Sequence, residues 1–191
     1  MTPPLYEIGD LSFTWPTSEQ VVGYYEAIVG TTLFDTLLWN GPSHVDELHE
    51  FWRQRRCDYA SGAAHTLSLA VIEKKSGRMI GSGSLRPVLV AHGVWDLGFA
   101  LAPEWQGHGR GSVLVSLLVG IAFAERGAER VEADAFVGNH ASRRVLEKAG
   151  LLFEGVARSA VAKPDGRRDL WLLGMTRADW LARVPPGGAG G

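Results

Sequence analysis

Val94-Trp95-Asp96-Leu97-Gly98-Phe99-Ala100-Leu101-Ala102-Pro103-Glu104-Trp105-Gln106-Gly107-His108-Gly109-Arg110-Gly111-Ser112 is the stretch on which the fold of this chain turns. Its first eight residues, rich in Val, Trp, Phe and Leu, read as a strand. Pro103 has no N–H to give to a ladder and ends the pairing. Glycine then stands at 107, 109 and 111, and residues 113–124 run apolar. Strand, glycine loop and helix in that order crowd bare backbone N–H groups at one helix N-terminus, where the helix dipole adds positive character. The same glycines could serve only as a tight connection. Three alternate ones ahead of an apolar helix favour a cradle for anionic phosphate.

Composition bounds the rest. A chain of 191 residues, 46% hydrophobic and 21% charged, suits one soluble domain with a proper core, read here as residues 1–184. The Pro/Gly-rich end, 185–191, reads as a disordered tail. A net charge of −2 argues against a protein that coats nucleic acid or an anionic membrane. One cysteine, Cys57, leaves no intramolecular disulfide and no thiol cluster for zinc, so a cytoplasmic protein without metal is expected. The first residues lack the basic and apolar regions of a signal peptide, and the run 113–124 is too short to span a bilayer. No membrane partner is expected.

Outward from the loop, the first third reads as helical and aromatic. A short edge strand is expected near 11–15, then a helix from Pro16-Thr17-Ser18-Glu19 to Gly30. Ser43-His44-Val45-Asp46 reads as a capping box with Asp in the Glu position, and Val45, Leu48, Phe51, Trp52 and Arg55 follow at helical spacing. Residues 65–73 and 79–85 read as a hairpin about Lys74-Lys75-Ser76-Gly77, with 94–101 as a third antiparallel strand. The helix after the glycines spans 112–126. Residues 131–137 are a strand with Val131, Ala133, Ala135 and Val137 on one face and Glu132, Asp134 and Phe136 on the other. A short helix follows Asn139, and 151–155 and 169–175 are the last strands.

In order and spacing these pieces resemble the Gcn5-related N-acetyltransferases, on the branch that acetylates ribosomal-protein N-termini and many small amines. Gln106-Gly107-His108-Gly109-Arg110-Gly111 matches that family's Gln/Arg-x-x-Gly-x-Gly/Ala loop, and Asp96-Leu97-Gly98-Phe99 its acidic-x-Gly-aromatic strand. Asn139-His140-Ala141-Ser142 with Arg144-Val145-Leu146-Glu147-Lys148-Ala149-Gly150 is similar to the branch's Asn-x-x-Ser helix, and Glu154-Gly155 then Arg158 to its ending. The match covers residues 64–182; residues 15–60 match only as a variable helical region on the acceptor side.

The resemblance implies an α/β fold with a twisted, mostly antiparallel sheet, splayed at its centre and flanked by helices. It implies acetyl transfer from acetyl-CoA to an amine by direct attack. The pantetheine arm would pair with Phe99, Ala100 and Leu101. Gln106, Gly107, His108, Gly109, Arg110, Gly111 and Ser112 would hold the pyrophosphate, and Asn139 and Ser142 the arm. Dimers are common in the family, so a homodimer belongs to the expectation.

Each site residue has a plainer use. Asn139 stands where an N-cap belongs, and Ser142 could satisfy a backbone group at the helix start. The resemblance implies a proton donor to the departing thiolate on that helix, a tyrosine in many of these acetyltransferases; Tyr59 is the last tyrosine in this chain, which leaves Ser142 as the candidate there. Asp96 is the expected general base, although a cross-strand cation could claim it; His92, Glu104 and Asp134 stand in reserve. Arg110 is as readily a solvated loop residue, and Cys57 packs better than it attacks. Trp15, Trp39, Trp52 and Trp95 are candidates to line an acceptor pocket.

Two rival functions fit some of these features. A dinucleotide-binding oxidoreductase would also use a glycine loop, but Gly-x-Gly-x-Gly is not its Gly-x-Gly-x-x-Gly spacing and a hairpin precedes the loop strand. An inactive domain that binds acyl-CoA as a sensor would keep the whole cradle.

Overall fold

The computed structural model describes residues 5–60 and 66–183. The expected tail and the start of the strand at His65 lie outside them. The elements are β1 (Tyr6–Ile8), β2 (Leu11–Thr14), α1 (Ser18–Ile28), a 3-10 turn (Thr32–Thr36), α2 (Val45–Ala60), β3 (Leu67–Glu73) and β4 (Met79–Leu89). After a 3-10 turn come β5 (Val94–Leu101), a second such turn, α3 (Arg110–Gly120), β6 (Arg130–Phe136), α4 (His140–Ala149), β7 (Leu152–Lys163), β8 (Gly166–Thr176) and α5 (Arg177–Arg183).

The strands form one sheet in the order β1-β2-β3-β4-β5-β6-β8-β7. Every neighbouring pair is antiparallel except β5 and β6. That topology rules out the doubly wound parallel sheet of the dinucleotide reading. β3 is buried on both faces because its side chains feed two cores in turn. Leu67, Leu69 and Val71 join Leu114, Leu118 and Leu146 under α3 and α4. Ala70 and Ile72 join Val21, Tyr24, Leu48 and Trp52 under α1 and α2. A fully buried leucine is worth roughly 1.5–3 kcal/mol, and α3 sits so close that a Cβ on Gly83 would lie 2.8 Å from Leu118 and 2.9 Å from Leu114.

Local signals held where they were strongest. Thr17 caps α1 in a box with Gln20, which returns its side chain to the Thr17 N–H. The expected box at 43–46 is not made: Glu47 accepts the Ser43 N–H at 3.1 Å and His44 Nδ1 accepts that of Asp46 at 3.3 Å. Helix α3 begins at Arg110 instead of Ser112 because Gly109, in the left-handed region at φ +78, is its N-cap. Its last turn, Ile121–Glu125, widens to π geometry. Strand β4 runs on past residue 85 to Leu89, still paired to β5 through a bulge. Strands β7 and β8 reach Lys163 and Gly166 instead of stopping near 155 and 169, since Val161↔Arg168 and Ala162↔Arg167 pair as a polar, solvent-facing ribbon without apolar alternation. Val137 leaves the core face, 47% exposed, because Gly138 at φ +98 turns the chain, while Phe136 is buried on the opposite side.

Candidate functional site

Strands β5 and β6 part company almost at once. They pair only at Val94↔Arg130, Trp95↔Val131 and Asp96↔Glu132. Beyond that, β5 bonds to β4 alone and β6 to β8 alone. The N–H of Ala102 donates to the carbonyl of Ile80 at 2.9 Å, which sets the phase of the ladder. The backbone groups of Ala100 therefore face β4, and those of Phe99 and Leu101 face the opening. Gln106 Nε2 donates to the Leu101 carbonyl at 2.9 Å and ties the loop back to the strand end. The Phe99 peptide groups and the Leu101 N–H are left at a sheet edge with no strand beside them, as a ligand that pairs like a strand requires.

A groove of about 490 Å³ runs from this edge over the glycine loop. Phe99, Ala100, Leu101, Gln106, Gly107, Gly109, Gly111, Ser112, Asn139 and Ser142 all border it. Two of the predicted residues do not. The Arg110 guanidinium turns away, 3.3 Å from Asp10 and 4.9 Å over the Trp105 ring, and His108 is an exposed residue of the loop outside the lining. The glycines divide their labour: Gly107 and Gly109 are needed for φ of +81 and +78. Gly111 instead lies in α3, where a Cβ would meet Val145 of α4 at 3.5 Å. Sequence reading passed over Arg144 and Lys148, which also border the groove. Their spacing of four on α4 puts both cations on one stripe, and that was the signal available.

Asn139 does cap α4: its Oδ1 accepts the Ser142 N–H at 3.0 Å. This leaves the Nδ2 donors for a ligand. Ser142 borders both the groove and a second cavity, of about 370 Å³, on the far side of Phe99 and Ala100. That chamber has a polar floor, because Ser82 and Ser84 on β4, Asp96 on β5 and Asp134 on β6 all point to the α1–α2 face. Arg86 Nη2 reaches Asp96 Oδ2 at 3.0 Å, the cross-strand cation foreseen as its alternative. Among the described residues no salt bridge reaches Asp134, and burial, with the Asp96 charge second, pushes its carboxyl up to about 6 against the opposing charge of Arg86. The Ser68 hydroxyl also lines the chamber, 5% exposed and without a hydrogen-bond partner among the described residues.

The other candidates separate cleanly. His92, in the turn before β5, borders neither groove nor chamber. Glu104 is bound on the surface by Arg78 and the Trp105 indole, each at 2.9 Å. Trp39 and Trp52 line the chamber, joined by Phe51 and Phe136. Trp95 packs in the core under α3 and Trp15 sits edge-on to Tyr59. Cys57 is exposed, its sulfur 3.8 Å from Arg53. The resemblance also implies an acceptor side built by residues 15–56, the 86–93 loop and the 158–169 segment; of that loop, Arg86 lines the chamber and residues 87–93 do not. The β7–β8 hairpin comes no nearer than the Phe136 ring, which Lys163 and Arg168 each approach to 5.8 Å. Among the described residues no three His, Cys, Asp or Glu side chains gather to hold a metal, and no helix is long and apolar enough to cross a membrane.

Known proteins resemble this chain in sequence or in fold. YdaF of Bacillus subtilis (strain 168), a candidate ribosomal N-acetyltransferase, is 29% identical over 143 residues, 73% of this chain and 74% of YdaF. The ribosomal-protein-S5-alanine acetyltransferase of Vibrio fischeri superimposes with a TM-score of 0.76 at 19% identity, over 93% of this chain and 98% of its own. The spermidine N-acetyltransferase of Vibrio cholerae, solved with CoA and spermine, gives 0.76 at 16% identity, over 90% and 98%. The acetyltransferase (GNAT) domain family matches residues 8–152. The family match and the shared fold agree: this chain belongs to the GNAT acetyltransferases.

Proposed function

We propose that this protein moves an acetyl group from acetyl-CoA to a primary amine by direct attack, without an acyl-enzyme. The observation that carries this reading is the meeting of groove and chamber at Phe99, Ala100 and Ser142, with a carboxylate of raised pKa just inside. The residues present suit CoA: a glycine-built helix N-terminus with Arg144 and Lys148 for phosphate, and a bare sheet edge for the pantetheine amides. When bound, acetyl-CoA supplies an acyl carbon activated as a thioester.

The chain's own groups do the rest. The Phe99 or Leu101 N–H points at the developing negative charge on the carbonyl oxygen, as an oxyanion donor does. Asp134, near pKa 6, is ionised at pH 7 and takes a proton from the incoming ammonium. Asp96, held by Arg86, fixes the local charge that raises Asp134 and shares in guiding the cation; this moves the base role one strand over from the sequence expectation. The Ser142 hydroxyl passes a proton to the leaving sulfur and regains one from the new amide nitrogen. The amine-acetylating relatives support an amine acceptor in general. The single free cysteine suits work in a reducing cytoplasm.

The test is calorimetry with acetyl-CoA, with NAD in parallel, followed by thiol release in the presence of amines. Saturable acetyl-CoA binding plus amine-dependent release supports the reading. Binding without release from any amine points to the sensor role, and no binding sinks both.

A further inference from the structure

A third cavity, of about 390 Å³, opens beside the chamber under α1 and α2. Leu37, Trp39, Phe51, Trp52, Ser82 and Ala100 border both spaces, so the two are continuous. With the groove this annex shares only Leu37 and Ala100. It is therefore an extension of the acceptor chamber, not of the cofactor groove. Its far wall is apolar, made by Ile28, Leu48 and Met79. Its polar members are already engaged: the Tyr24 hydroxyl bonds to Ser82, and Glu47 accepts the Ser43 N–H.

The two compartments thus differ in chemistry. The carboxylates lie on the chamber floor, and the aromatic rings lie towards the annex. The rings are held in place. Phe34 and Trp39 meet edge to face at 5.5 Å, and Phe51 and Trp52 at 5.3 Å. Lys163 Nζ, from the β7–β8 hairpin, donates to the carbonyls of Phe34 at 3.0 Å and Trp39 at 3.3 Å and to Asn40 Oδ1 at 2.8 Å. A site so divided and braced suits an amphipathic molecule of small size.

Resting on the amine-acetylation reading above, we propose that the acceptor is a small primary amine carrying an aromatic or branched apolar body. Its ammonium lies at Asp134 and Asp96, and its body enters the annex between Trp39, Phe51 and Trp52. The apolar end of this space, Ile28, Leu48 and Met79, offers nothing to an extended peptide, and the one carboxylate on its lining, Glu47, is exposed to solvent.

The test compares methylamine, isobutylamine, phenethylamine, spermidine and a short peptide with Phe at its N-terminus, using the full chain and acetyl-CoA. The expected result is a kcat/KM for phenethylamine about tenfold or more above that for methylamine, the scale on which an apolar pocket discriminates. The double variant Trp39→Ala/Phe51→Ala, whose side chains are 47% and 40% exposed in the native fold, should bring that ratio close to one. Calorimetric titration of phenethylamine onto the CoA complex reads the same preference without turnover. A flat amine profile, a preference for spermidine, or better use of the peptide would overturn the annex proposal alone. So would hexanoyl-CoA outperforming acetyl-CoA in a way the double variant abolishes, since the annex would then hold the acyl chain. Acetyl-CoA binding with no thiol release from any amine would overturn the reading beneath it as well.

Discussion

The groove and the chamber lie back to back across Phe99 and Ala100, yet they are built in opposite ways. The groove is mostly backbone and mostly continuous in sequence: one strand edge, one loop, one helix start, and the first turns of α4. The chamber is mostly side chains, drawn from the 3-10 turn after α1, from α2, and from β3, β4, β5, β6 and α4. A ligand held by N–H groups demands glycines and a helix at fixed positions, and such demands leave a pattern. A ligand held by side chains from seven elements demands only that the fold bring them together. On the proposed reading, the difference separates what would bind a common cofactor from what would select an acceptor.

Asp134→Asn would break the comparison on the chamber side with the largest effect. Removal of a general base is worth about 10² to 10⁴ in rate, so kcat should fall on that scale while the Kd for acetyl-CoA stays put. Equal losses in Asp96→Asn and none in Asp134→Asn would return the base to β5.

On the groove side, Gly109→Val forces a β-branched residue to φ +78 at the N-cap of α3. Left-handed backbone costs roughly 1–2 kcal/mol for such a residue, and the N–H groups of the loop should shift with it. Calorimetry should show acetyl-CoA affinity down by about tenfold or more, and thermal melts a matching loss of stability. The same variant should leave the Asp134 pH dependence where it was.

The pH profile sharpens the contrast. Asp134 sits above its ordinary value, so it is protonated and idle below pH 6, and activity should rise as pH passes about 6. The same raised value means the ionised carboxyl costs stability, so melting temperature should fall slightly as pH climbs from 4 through 6. Arg86 opposes the upward shift; Arg86→Leu should therefore move the rate limb to higher pH, measured on kcat/KM. A limb that stays in place would detach Arg86 from the base.

The smallest effect belongs to charge at the groove. Arg144→Gln with Lys148→Gln removes two exposed cations. Solvent-facing pairs are worth about 0.2–1 kcal/mol each, so acetyl-CoA binding should weaken by roughly fivefold and lose most of its dependence on salt.

Much of the frame was legible because local physics repeats. Alternation and hairpin turns placed β3, β4, β5 and β6, and Gly30, Gly127 and Gly150, all at positive φ, closed their helices. The ends of β7 and β8 were hidden because a ribbon of Arg167, Arg168 and Lys163 carries no apolar period. Asp134 was visible only as one carboxylate among several. Nothing in its neighbours in sequence says that Asp96 faces it, that Arg86 takes Asp96 instead, or that burial raises its pKa.

By itself, then, the chain's order of residues determined most of the strands, the helix boundaries and the glycine loop, because backbone conformation depends on residues near one another. The tertiary structure alone decided which carboxylate is left without a salt bridge, which cations reach the groove, and which aromatic rings line the chamber. Those depend on desolvation and on contacts between residues tens of positions apart, and no periodicity records them.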